Sequence, residues 1–208
     1  MSYHTLETAY HTAGISYSAY RELIDTLLAQ GTTTNGDSRP DILDYTKMNV
    51  QRMSRLDKTV TLLPDFEAFE TLLQQKNTQW LWLILTEGWC GDAAQIVPVM
   101  EKIAAQNSHI ETRYLMRDAN ESLMNRHLTN GVSKAIPKLI CVRKADWAEI
   151  GSWGARPQEA QALVEDYKNN PVGDFKAFAE KLHGWYAKDK TLSTQRELLA
   201  AMQIWLEA

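Results

Sequence analysis

Trp89-Cys90-Gly91 is the segment of this chain best suited to do chemistry. It follows an almost continuous apolar run at 79–86 (QWLWLILT). It precedes a helical pattern over 91–105, in which Ile96, Val99, Met100 and Ile103 recur on one side. A cysteine at a helix N-terminus meets free backbone N–H groups and the positive end of the helix dipole, and both favour thiolate over thiol. The thiolate is the nucleophile of disulfide exchange, so Cys90 is the candidate catalytic residue. Trp89, Gly91, Asp92 and Ala93 complete the candidate motif. Asp92 reads first as an ordinary first-turn helix acid, favoured by the dipole. The other reading is a polar neighbour that tunes Cys90, and its charge would then raise the thiol pKa against the helix effect. Trp89 reads as a cover for the cysteine or as simple packing.

Two prolines add to the pattern. Pro98 lies eight residues after Cys90, inside the helical stretch, where it should kink the helix. Ile136-Pro137 stands immediately before an apolar segment. A cis bond there would set the Ile136 backbone against a neighbouring loop. Cys141, four residues on, reads as a packed small hydrophobe. At about 3.3 Å per strand residue it lies roughly 13 Å from Pro137, too far to bridge Cys90. The histidines (His4, His11, His109, His127, His183) show neither HxxxH nor CxxC-type spacing, so no metal and no cofactor are expected. Arg52, Arg55 and Lys58 read as a solvated helix face, the alternative being a cluster folded over Cys90. Trp147 and Trp153 are assigned to packing.

The elements that must position these residues follow from periodicity. Residues 17–30 carry Tyr20, Leu23, Ile24, Leu27 and Leu28 at helical spacing before Gly31. A polar linker leads to a helix predicted over 41–56, a short strand over 59–63 and a helix over 64–75. The run 79–86 fits a central strand buried on both faces. Further strands are predicted over 109–116, 137–143 and 147–153. Asn120 is the candidate cap of a short helix reaching 128. Pro157 opens a helix to 167, and helices over 174–186 and 191–207 close the chain. This order predicts a three-layer α/β domain with a central mixed sheet, in which a helical crossover joins a parallel pair and an antiparallel hairpin forms the edge. The domain is placed at 58–170, with helical extensions at 1–57 and 171–208.

The chain has 208 residues, 44% hydrophobic and 23% charged, with a formal net charge of −4, which fits a globular protein with a sizeable core. That charge provides no electrostatic footprint for nucleic acid or an anionic membrane, so neither is expected as a partner. Residues 1–14 lack a basic stretch followed by an apolar one, and no run is long enough to span a bilayer. The expected location is cytoplasmic. Two cysteines do not form a disulfide framework. In the last predicted helix Leu198, Leu199, Met202 and Leu206 form a stripe that packs on the core or on a second copy, which leaves a homodimer open.

The segment LILTEGWCGDAAQIVPV resembles the thioredoxin active-site region, with WCG and the later proline in register, and Ala-Ile-Pro-Lys at 135–138 resembles the cis-proline loop of that family. The resemblance covers about 58–167 and is nearest to uncharacterised bacterial thioredoxin-like proteins with a helical N-terminal extension. It implies a thioredoxin-like fold, thiol–disulfide chemistry at Cys90, and Ile136 and Pro137 as substrate-binding residues. The second cysteine of the family's motif falls at Ala93, and its buried acid at Ile84. The resemblance therefore implies a monothiol oxidoreductase. Its partner would be a protein disulfide or a low-molecular-weight thiol adduct, with a small thiol completing the cycle. The alternatives are a non-catalytic interaction module, pairing an extended peptide with the Ile136–Pro137 loop, and a redox sensor in which Cys90 is reversibly capped. Cys90 is expected to be solvent-accessible and Cys141 buried.

Overall fold

The computed structural model describes residues 4–208. Its helices are α1 (His4–Thr12), α2 (Tyr17–Ala29), α3 (Pro40–Thr59), α4 (Asp65–Gln75), α5 (Gly91–Ala105), α6 (Glu121–Met124), α7 (Gln158–Asn169), α8 (Phe175–Asp189) and α9 (Leu192–Trp205). Strands β1 (Trp80–Thr86), β2 (Ile110–Met116), β3 (Lys138–Arg143) and β4 (Ala148–Gly154) form one sheet in the spatial order β2-β1-β3-β4. β1 and β2 are parallel across the α5 crossover, whereas β3 is antiparallel to both β1 and β4. This is a thioredoxin-like α/β fold with helical additions at both ends.

Every residue of β1 is buried, as the apolar run Trp80–Leu85 requires of a central strand covered on both faces, and the Thr86 hydroxyl is satisfied by that of Tyr20 at 3.1 Å. Trp80 meets Phe69 of α4 and Trp205 of α9, at ring-centroid distances of 5.7 and 6.3 Å. The hydroxyl of Tyr114 on β2 donates to Glu101 of α5 at 2.8 Å, and its ring stacks on Tyr20 of α2. The N-terminal helices are tied to the sheet edge by an antiparallel bridge between Ile15 and Tyr114, with N···O distances of 3.0 and 2.8 Å. The Leu198–Met202 stripe of α9 is buried in the chain's own core, and Leu199 and Leu206 pack against it. Among the described residues no helix is long and apolar enough to cross a membrane.

Two local expectations fail for physical reasons. Residues 60–63 form no strand, because the backbone there pairs with a side chain. The Gln195 amide accepts from Leu63 N–H at 2.8 Å and donates to the Thr61 carbonyl at 3.1 Å, fixing an extended segment without a ladder. Asn120 does not cap α6. Its amide donates back to the Met116 carbonyl at 2.9 Å and secures the end of β2 instead.

Gly151 lies opposite Cys141 in the hairpin, and a Cβ at Gly151 would fall inside the indole of Trp205. Gly151→Ala must displace that fully packed ring. The expected cost is about 1–3 kcal/mol of stability, read as a lower urea midpoint at unchanged m-value.

Candidate functional site

Cys90 sits where the end of β1 turns into α5, and it is the N-cap of that helix. Its Sγ accepts the Ala93 N–H at 3.4 Å and donates to the Ile136 carbonyl at 3.3 Å. The Ile136–Pro137 peptide is cis, and both residues are buried. The structure thus brings Cys90, Ala93 and the Ile136–Pro137 loop together, although Cys90 and Ile136 lie 46 positions apart.

Cys90 is buried, at 8% exposure, contrary to the expectation of an accessible thiol. Both helical additions come to the motif, which the motif alone does not reveal. Gly91 lies against Tyr45 of α3 and His183 of α8. A Cβ there would strike the Tyr45 hydroxyl and stand 2.9 Å from His183 Nε2. Tyr45 Oη and His183 Nε2 share a hydrogen bond of 2.7 Å. Gln95 Nε2 donates to His183 Nδ1 at 3.2 Å, which leaves the ring proton on Nε2, facing Tyr45. Burial, with Arg52 nearby, pushes the His183 pKa down to about 4, so the ring is neutral at pH 7.

Asp92 departs from the ordinary first-turn acid. It is buried at 7% exposure and fully engaged. Arg156, from the segment between β4 and α7, reaches Oδ2 through Nε at 2.8 Å and Nη2 at 2.7 Å, and the Tyr186 hydroxyl of α8 donates to Oδ1 at 2.8 Å. A cation and a hydroxyl are thus both fixed on this buried carboxylate, the pairing that a charge out of water requires. Burial pushes the Cys90 thiol up to about 12, and Asp92 adds to this. The Ala93 N–H and the more distant Arg156 oppose the rise without cancelling it. Desolvation and a like charge thus outweigh the helix N-terminus, and the resting cysteine is a thiol.

A second buried carboxylate, Glu87, stands three residues before Cys90. Its backbone carbonyl accepts the Cys90 N–H at 3.1 Å. Its side chain accepts from Asp118 N–H at 3.0 Å and from the Thr34 hydroxyl, and burial raises its pKa. At the position six residues before Cys90, Ile84 is wholly buried in β1. Cys141 is also wholly buried, paired with Trp82 and Gly151 on its neighbouring strands, and desolvation holds its thiol well above the ordinary range.

A thioredoxin family model matches residues 37–168, more than half of the chain. The chain belongs to the thioredoxin family. The match takes in α3, with Tyr45, and ends before α8, so one of the two helices over the family's motif lies inside the matched span and the other outside. No curated protein is significantly similar in sequence. Two crystal structures resemble this thioredoxin-family chain in fold. One is an HIV 4E10 epitope-scaffold at 16% identity, and the other is a protein of unknown function from Pseudomonas aeruginosa at 17%. Each has a TM-score of 0.50, with 91% of this chain and 98% of the other chain covered.

The remaining expected residues separate cleanly. Trp89 is half-buried, with the Arg117 guanidinium 4.8 Å above its ring. Arg52 donates to Asn49 at 2.7 Å and lies over the Tyr45 ring, while Arg55 and Lys58 are exposed on the solvated face. Trp147 packs on Tyr10, and Trp153 donates to Glu197 at 3.3 Å. Among the described residues no group of three or more His, Cys, Asp or Glu is placed to hold a metal. Tyr45, Arg156, His183 and Tyr186 carry no motif. Only the bare Gly91 Cα hinted that something must lie against it.

Proposed function

We propose that this thioredoxin-family protein performs thiol–disulfide exchange through Cys90 alone, from a resting state in which the thiol is protonated and covered. The observation that carries this reading is the seat of the sulfur. It lies at the N-cap of α5, with one backbone donor at 3.4 Å and the carbonyl before Pro137 at 3.3 Å. On deprotonation the Ala93 N–H remains to stabilise the thiolate, and the Ile136 carbonyl, freed of the thiol proton, becomes available to an extended substrate strand. The thiolate attacks one sulfur of a disulfide. A Cys90–substrate bond forms, and the other half leaves as a thiolate that takes up a proton. A second thiol, from a small molecule, then attacks the substrate sulfur and releases Cys90. Ala93 offers no internal resolving group.

The test is mixed-disulfide formation. Wild-type protein incubated with oxidised glutathione at pH 9 is expected to gain one glutathione, on Cys90 by peptide mass, and to lose it when reduced thiol is added. Cys90→Ser is expected to gain none. If no adduct forms even at pH 10, the second reading replaces the first. It is a thioredoxin-fold interaction module in which Cys90 is a structural thiol, and the observation favouring it is the burial that keeps the sulfur protonated.

A further inference from the structure

We infer that α8 is a lid over Cys90 and that Tyr186 and His183 are the positioning residues that hold it shut. The inference rests on the reading of Cys90 as the exchanging thiol, since only then does its cover regulate anything. α8 touches the motif at two places one helical turn apart: Tyr186 donates to Asp92, and His183, hydrogen-bonded to Gln95 and Tyr45, lies against Gly91. Its own buried side is a single narrow stripe of Phe178, Leu182 and Tyr186, spaced four residues apart. The same helix is moored to α7. Phe178 stacks on Tyr167 at 4.2 Å and Trp185 donates to Glu159 at 3.3 Å, so it can leave the motif without leaving the protein.

Both ends of α8 adjoin non-helical joints. The stretch 170–174 before it is exposed and contains Pro171 and a Gly173 at φ +75°. Lys190 and Thr191 after it both take left-handed backbone, at φ +51° and +69°. A helix between two such joints, with a thin apolar contact, belongs to the class of segments that open below the global unfolding threshold.

The chemistry of Asp92 makes opening feasible. When Tyr186 departs, the carboxylate keeps both Arg156 contacts, so no buried charge is stranded. What is lost is one hydrogen bond to a charged group, the His183 pair and the burial of the Leu182 and Tyr186 side chains. The Gly91 surface, which has no Cβ to fill the gap, then lies uncovered beside the sulfur.

The experiment uses the full chain and compares wild type with Tyr186→Phe, which deletes the hydroxyl and keeps the ring. The readouts are the iodoacetamide modification rates of Cys90 and Cys141, site-resolved by mass spectrometry, and hydrogen exchange of α5 and α8. Loss of a hydrogen bond to a carboxylate is expected to raise the open population about tenfold or more. Cys90 modification and α8 exchange should rise by that factor, with Cys141 and α5 unchanged. If Cys90 and Cys141 accelerate together, the variant has loosened the whole protein, and the lid is overturned unless His183→Asn gives the selective pattern. Unchanged Cys90 and α8 rates in both variants overturn it outright. The two readings fail separately. Selective opening without a glutathione adduct keeps the lid and removes exchange. Equal adduct rates in wild type and Tyr186→Phe, with unchanged α8 exchange, keep exchange and remove the lid.

Discussion

Native protein at pH 7.5 is expected to react with iodoacetamide at Cys90 about a thousandfold more slowly than the same protein in denaturant, and Asp92→Asn is expected to recover about tenfold of that loss. An ordinary cysteine with a pKa near 8.5 is about one-tenth thiolate at that pH. With the thiol pushed up to about 12, the thiolate fraction falls by roughly three orders of magnitude, before any steric shielding. Replacing Asp92 by Asn removes the neighbouring negative charge and leaves the Arg156 guanidinium uncompensated beside the motif, so both changes move the thiol pKa downward. The pH–rate profile of the variant should shift to lower pH, by a unit or more on the scale of close charge pairs. A variant that merely loosened the fold would raise the rate at every pH without moving the midpoint. A wild-type midpoint below about 9 would contradict the burial of Cys90 and the charge beside it.

The same shift fixes the sign of a stability effect. The folded thiol binds its proton more tightly than the unfolded one, so its contribution is fully present below pH 8.5 and is lost as pH rises toward 12. Chemical denaturation followed from pH 8 to 11 should therefore show a falling midpoint, and Cys90→Ser should flatten part of that fall. Cys141 adds to the slope in the same direction, because burial raises its thiol as well.

The contrast between a motif that favours thiolate and a site that forbids it shows where sequence reading stops. The central strand was legible because the apolar run from Trp80 to Leu85 admits little else, and α5 because its apolar period starts immediately after Cys90. The hairpin and the parallel crossover followed from the spacing of those segments. The stretch 59–63 was misread because its β-branched residues resemble a strand, while its actual partner is the amide of Gln195, 132 residues away from Leu63. The site divides in the same way. Cys90 and the Ile136–Pro137 loop are local signals, whereas Tyr45, Arg156, His183 and Tyr186 are ordinary residues on three separate segments. Their convergence is a tertiary fact, and it decides the charge state of the thiol. Asp92 illustrates the cost of reading locally. A first-turn acid is usually solvated, yet here an arginine 64 residues away supplies the cation that permits burial.

Ala93→Cys is expected to convert the site from a single thiol to a dithiol that forms an internal disulfide and reduces insulin, an activity the wild type will lack. After Cys90 attacks a substrate, the partner stays bound until a second sulfur displaces it. Residues three apart at the start of an α-helix have Cα atoms about 5 Å apart, inside the range a disulfide spans. Position 93 is on the same turn as the sulfur, since its N–H already donates to Sγ. A thiol there acts at high effective concentration, whereas Cys141 is locked in β3 and cannot substitute for it. The gain should stay modest, because Ile84 supplies no acid and both Glu87 oxygens already accept hydrogen bonds. If the α8 lid limits access, adding Tyr186→Phe to Ala93→Cys should raise turnover further, while Tyr186→Phe alone should leave insulin unreduced. A single turbidity assay on wild type, Ala93→Cys, the double variant and Cys90→Ser distinguishes these cases. Wild-type turnover equal to that of Ala93→Cys would require a resolving thiol that this site does not contain, and exchange through Cys90 alone would have to be abandoned.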